Sequence, residues 1–181
     1  MSVYFHANFG LNRNNMSKLL LISQQNINFR DVELAKPFEY KAPFSARTRS
    51  WLNKTGFIDL RFPVKLTDIG NQVFLKDPNF NSIETQQFMH TNLTSEPINA
   101  EAWHYFYNEF LDVNKEFDRE QLISGLTMKL RHHSEDHFGP GSKLNIVIAR
   151  KIIECYTADY ALGDLGVIME KDGYYIGKKL N

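Results

Sequence analysis

The chain has 181 residues, and its 21 basic and 21 acidic side chains cancel, so no overall field draws it to nucleic acid and any DNA contact must come from local clusters. An apolar fraction of 43% with 13% aromatics is enough for a real core, in one domain or in two small ones. One cysteine, Cys155, excludes an internal disulfide and fits a reducing compartment; with no apolar run of about 18 residues and no signal-peptide core in MSVYFHANFGLNRNN, the expectation is a soluble cytoplasmic protein with no membrane contact.

Residues 1–14 carry Phe5, His6, Phe9 and Arg13, with Gly10 as a break, and read as an ordered arm or short strand. Met16 to Gln24 is compact and apolar, a short helix. Asn28 is placed to cap the next, Phe29 to Lys36. Pro37 and Pro43 bracket a connection. Ser45 then opens a basic helix that runs to Thr55 and stops at Gly56, which takes the left-handed cap conformation without a Cβ clash. Two β-prone runs follow, Phe57 to Leu60 and Val64 to Thr67, split by Arg61 and Pro63, and a new helix starts near Asp68. This is the element order of a winged helix-turn-helix. It would bring Arg47, Arg49 and Lys54 to a major groove, with the wing around Arg61 to Lys65.

Ser82 to Leu93 reads as a helix with Ser82 at its start. Asn99 is placed to cap AEAWHYFYNEFLDV, in which Trp103, Phe106, Phe110 and Val113 share one face. Aromatics at that spacing face inward, so a core pillar is favoured over a base-stacking surface. Asp118 caps a helix with Leu122, Ile123, Leu126 and Leu130. FGPGS (138–142) is the clearest turn, and Ser142 caps KLNIVIARKIIECY. Leu165 to Glu170 and Tyr174 to Leu180 flank KDG, a hairpin signal. The predicted fold is mainly α with small β-hairpins: a winged-helix-like unit at 1–78, a helical middle at 79–117 and a second winged-helix-like unit at 118–181.

Three clusters bear on chemistry. The first is Arg47, Arg49 and Lys54 with Arg61 and Lys65 behind; arginine forks suit guanine edges and phosphates. The second is Lys143, Arg150 and Lys151, with Lys171, Lys178 and Lys179 on the hairpin and tail. The helix from Lys143 is so apolar that this unit packs more than it reads, and Lys178 and Lys179 offer phosphate attraction. The third is His132, His133, Glu135, Asp136 and His137. His133 and His137 are four apart, as two helical metal ligands would be, but Pro140 and two glycines follow and neither HExxH nor a second cysteine is present. A polar helix end is the better reading, and no metal or other cofactor is expected. Glu135, Asp136 and His137 are still the only group that could serve magnesium or manganese in a nicking reaction. Cys155, beside Ile152 and Ile153, is a buried small residue rather than a nucleophile. Phosphate loop, dinucleotide fingerprint and GxSxG elbow are all absent.

RTRSWLNKTGFID, VKLTDIGNQVFLKDPNF, AEAWHYFYNEF and LGDLGVIMEKDGYYIG together resemble the SspB-like family, a domain of unknown function that occurs beside DNA phosphorothioation genes. FHANFG is similar to that family's FxGHxTF opening, with His6 kept and the spacing altered. The resemblance runs over nearly the whole chain and rests on fold signatures rather than a catalytic motif. It implies DNA binding in a system that replaces a non-bridging phosphate oxygen by sulfur, with a nicking activity exercised beside a sulfur-transfer enzyme and an ATPase. The glycine-rich LGVGKNM turn usual before the RTRSWL helix is replaced here by EYKAPFSA, and no catalytic residue carries over. The expected function is a DNA-binding component of a phosphorothioate modification or phage-defence system, nicking DNA for sulfur insertion, or else a non-catalytic adaptor of such a complex. Its partners would be double-stranded DNA and the other proteins of the operon.

Overall fold

The computed structural model describes residues 3–180; Met1 and Ser2 of the expected arm and the terminal Asn181 lie outside the described residues. The chain is mainly helical, with one small three-stranded antiparallel sheet. It forms two compact units, Phe5–Asn92 and the chain from Leu93 onward together with the described residues ahead of Phe5. The boundary between the units falls within the stretch 79–117 expected as a helical middle.

In the first unit, helix α1 (Arg13–Gln25) is capped by the Asn12 side chain, which accepts from the Asn15 amide at 2.9 Å. Its buried face is Met16, Leu19, Leu20 and Ser23, a helical stripe. Helix α2 (Asp31–Ala35) begins later than expected, with the Glu33 carboxylate closing back on the Arg30 amide at 3.0 Å. Helix α3 (Ala42–Lys54) begins earlier than expected, with Pro43 in the first turn, where its missing N–H costs nothing. Ser45 is consequently inside the helix, donating to the Asp31 carbonyl at 2.6 Å rather than capping. Gly56 ends the helix at φ +88°, as expected. The two β-prone runs meet in a single bridge, Ile58 with Leu66, flanked by Asp59 N–H to Lys65 O and Thr67 N–H to Phe57 O, each 3.0 Å. Helix α4 (Asp68–Lys76) starts on the Thr67 hydroxyl, and α5 (Ile83–Thr94) on that of Ser82. Trp51 centres the core: its ring meets Phe5 edge-on at 4.8 Å and its indole N–H donates to the Phe9 carbonyl at 3.0 Å. The N-terminal arm is thus tied to α3 through a turn, not a strand.

In the second unit, helix α6 (Pro97–Tyr105) leaves helical geometry at Ala100, one residue past the expected cap Asn99, so its main run starts at Glu101. It continues through a π turn (Phe106–Phe110) into α7 (Leu111–Val113). Trp103, Phe106 and Phe110 are buried as expected, but Val113 is 82% exposed. The wider π turn rotates everything after it, and Leu111 takes the inward place. Strand β1 (Glu116–Phe117) follows, then α8 (Arg119–Leu130), which opens on a reciprocal capping box between Asp118 and Gln121. A short α9 (Glu135–Phe138) precedes α10 (Lys143–Thr157), capped by Ser142. Strands β2 (Ile168–Lys171) and β3 (Tyr174–Gly177) turn on Asp172 and Gly173, both at positive φ. The sheet order is β1-β3-β2, with Phe117 paired to Tyr175 and Met169 to Ile176. Leu122, Leu126, Ile148, Ile152, Tyr156 and Phe117 fill the core.

Candidate nucleic-acid interface

Arg49 does not face outward. Its Nε and Nη2 donate to the two carboxylate oxygens of Asp31, both at 2.9 Å, Nη1 donates to the Leu60 carbonyl at 2.7 Å, and the guanidinium lies 4.0 Å from the centre of the Phe62 ring. With 7% of its surface exposed, it pins α2 and the hairpin loop to α3 and has no edge left for a base. Arg47 is half-buried and donates from Nη1 to the Phe5 carbonyl at 3.0 Å. Lys54 is half-buried too, and burial lowers the pKa of its ammonium. Beyond Pro43 every residue of α3 is buried or half-buried, so this helix is largely an interior element. Arg49 is thereby withdrawn from the expected reading of DNA, while Arg47 is half-buried with one guanidinium nitrogen committed to the Phe5 carbonyl. Arg61 and Lys65 are exposed on the hairpin loop, where they line a shallow concavity with Asp59, Phe62 and Pro63.

In the second unit α10 does have an outer face. Lys143, Ile146, Arg150 and Thr157 are exposed along one stripe, with Val147 and Glu154 half-buried beside them. Lys151 is excluded from it: 8% exposed, it is bound to Glu154 at 2.6 Å. Lys171 is exposed at the β2–β3 turn beside Tyr174, and Lys178 is exposed just past β3. Lys179 is paired with Asp112 at 2.5 Å and lies over the Tyr107 ring, which holds the tail in place. Sequence reasoning passed over the α10 stripe because it weighed the helix's total apolarity; the spacing of Lys143, Ile146 and Arg150 is the signal that marks it.

The third cluster comes apart. Glu135 and Asp136 sit in the first turn of α9, where an anion suits the helix dipole, and His137 Nδ1 lies 2.8 Å from the capping Ser134 hydroxyl. His133 and His137 do not share a helix, since α8 ends at Leu130 and α9 begins at Glu135, so their spacing of four has no helical meaning. His132 and His133 instead meet Glu101, which sequence reasoning missed: His133 Nε2 is 2.7 Å from Glu101 Oε2 and His132 Nε2 is 4.0 Å from Oε1. Cys155 is fully buried, and burial pushes its thiol up to about 12 against an opposing hydrogen bond from Trp103. It is an inert core residue.

No protein-family model matches the chain, and no curated protein or solved structure matches it either. Among the described residues no helix is long and apolar enough to cross a membrane.

Proposed function

We propose that the chain is a DNA-binding component of a DNA phosphorothioate modification or phage-defence system, built from winged-helix-like units, and that it meets duplex DNA through the second unit. One observation carries this reading. The order α6–α7, β1, α8, α9, α10, β2, β3, with sheet order β1-β3-β2, supports a winged-helix reading, in which a helix pair precedes a hairpin whose last strand is central in the sheet. In such a unit the second helix of the packed pair lies in the major groove and the last hairpin lies along the backbone. The α10 stripe supplies Arg150 for a base edge or phosphate and Lys143 for a phosphate; Lys171 and Lys178 supply phosphate contacts from the hairpin. Arg61 and Lys65 add a smaller basic loop in the first unit. The sulfur-modification setting rests on the family resemblance.

Zero net charge and few phosphate contacts make the binding modest, with log K falling by about 0.9 per contact against log salt. Fluorescence anisotropy on labelled duplexes, plain and phosphorothioated, tests the proposal. Lys143→Ala and Lys171→Ala should each lower the slope of log K against log salt by about 0.9. Arg150→Ala should cost about 1–3 kcal/mol. Duplex binding unchanged in the triple variant refutes the interface. A second reading, the adaptor, is favoured by the exposed apolar side chains Ile98, Val113 and Met128 of this unit. Capture of operon neighbours by a chain that binds no duplex selects it. The nicking role of Glu135, Asp136 and His137 is not carried forward, because these residues form the first turn of α9 rather than a shared site.

A further inference from the structure

We propose that Glu101, His132 and His133 form a site for a divalent transition metal of the zinc type, which clips the turn after α8 to α6. Glu101 is 8% exposed, and a carboxylate withdrawn from water needs positive charge or donors close by. It opens the main run of α6 beyond the break at Ala100. Its two oxygens face two imidazole nitrogens: Oε2 accepts from His133 Nε2 at 2.7 Å, through a proton that a metal would displace to solvent on taking that nitrogen while the ring keeps its other proton on Nδ1, and Oε1 lies 4.0 Å from His132 Nε2.

The tautomer of His132 makes the case. Its Nδ1 lies 2.8 Å from the Lys129 carbonyl oxygen. A carbonyl only accepts, so Nδ1 carries the proton and the neutral ring keeps a lone pair on Nε2. That lone pair faces Glu101 Oε1 across 4.0 Å, too far for a hydrogen bond. A cation between them satisfies both, since zinc bonds of about 2.0–2.2 Å to each side span such a gap. An Nδ1–H held by a backbone carbonyl is also the second contact that metal-bound histidines use to fix ring and tautomer. The two rings lie side by side with centroids 3.9 Å apart.

The donor set selects the ion. Two imidazoles and one carboxylate suit zinc and its neighbours, while magnesium and calcium prefer all-oxygen shells. Both histidines are exposed, so the fourth position opens to solvent and takes water. The site is distinct from the Glu135, Asp136 and His137 turn, and it adds a clasp to the unit that carries α10 without depending on what α10 binds.

The test uses the full chain, stripped with chelator and titrated with zinc by calorimetry and with cobalt(II) by absorption. The expected result is one equivalent per chain, a cobalt spectrum of nitrogen and oxygen ligation without thiolate charge transfer, and a rise in melting temperature with zinc. Glu101→Gln, His132→Gln and His133→Gln should each weaken binding at least tenfold, and His137→Gln should leave it unchanged. His132 is 61% exposed in its side chain, so His132→Gln keeps the fold and the readout even if Glu101→Gln does not. No saturable single equivalent in the native chain, or equal affinity in His132→Gln, overturns the proposal.

Discussion

Arg49→Ala separates a structural arginine from a DNA-reading one. The pair it breaks has side chains 8% and 22% exposed, and removing one partner leaves the Asp31 carboxylate without its bidentate donor. Breaking a buried pair from one side costs about 3–5 kcal/mol, and the residual exposure of Asp31 places this one near 3. Loss of the bond to the Leu60 carbonyl adds about 1 kcal/mol. The first unit should therefore lose about 4 kcal/mol, which at an m-value of about 2 kcal/mol/M moves its urea midpoint down by about 2 M. Trp51 fluorescence in a Trp103→Phe background reports that unit. Arg49→Lys keeps the charge but not the fork and should recover less than half of the loss. Asp31→Ala combined with Arg49→Ala should show strong coupling, because the two act as one contact. A midpoint that stays within the range of an ordinary surface substitution, about 0.5 kcal/mol, together with lost duplex binding, would refute the clamp and return Arg49 to the DNA.

Two further outcomes follow from the packing. A Cβ on Gly125 would stand 2.6 Å from the Tyr105 hydroxyl and 3.0 Å from the Phe110 ring, where α6 and α8 close on each other. Gly125→Ala should cost about 1–3 kcal/mol by overpacking and appear in the Trp103 signal while Trp51 is unmoved. Burial pushes the His90 imidazole from 6.5 down to about 4. The unfolded chain therefore binds that proton more readily. The stability held at neutral pH should fall by about 3 kcal/mol as pH drops from about 6.5 to 4, and no further below. His90→Gln should remove that part of the pH slope in urea titrations at pH 7 and 4.5.

What could be read from the chain alone was local. Ser142 capping α10, Asp118 opening α8, Gly56 ending α3 and the KDG turn are each decided within a few residues, and the mainly helical character with a small hairpin follows from them. What escaped depended on distant partners. A helical arginine looks the same whether it meets solvent or an aspartate 18 positions upstream, and only the fold brings Asp31 to Arg49. Strand β1 is two residues long and exists because β3 pairs with it. Glu101 meets His133 across 32 positions, with no spacing to announce it. Val113 fits the aromatic stripe by ordinary helical counting, and the counting fails because the helix widens at Phe106–Phe110.

That widened turn also sets where the stretch after β3 is moored. The Tyr107 hydroxyl accepts from the Leu180 amide at 2.9 Å, and Asp112 holds Lys179, so one anchor lies inside the π turn and the other just beyond it. The extra residue works like an added gear tooth: it dials Asp112 to the azimuth at which Lys179 arrives. Deleting one residue there would restore uniform winding, swing that carboxylate away and cast off the last stretch, leaving β3 without the mooring that follows it.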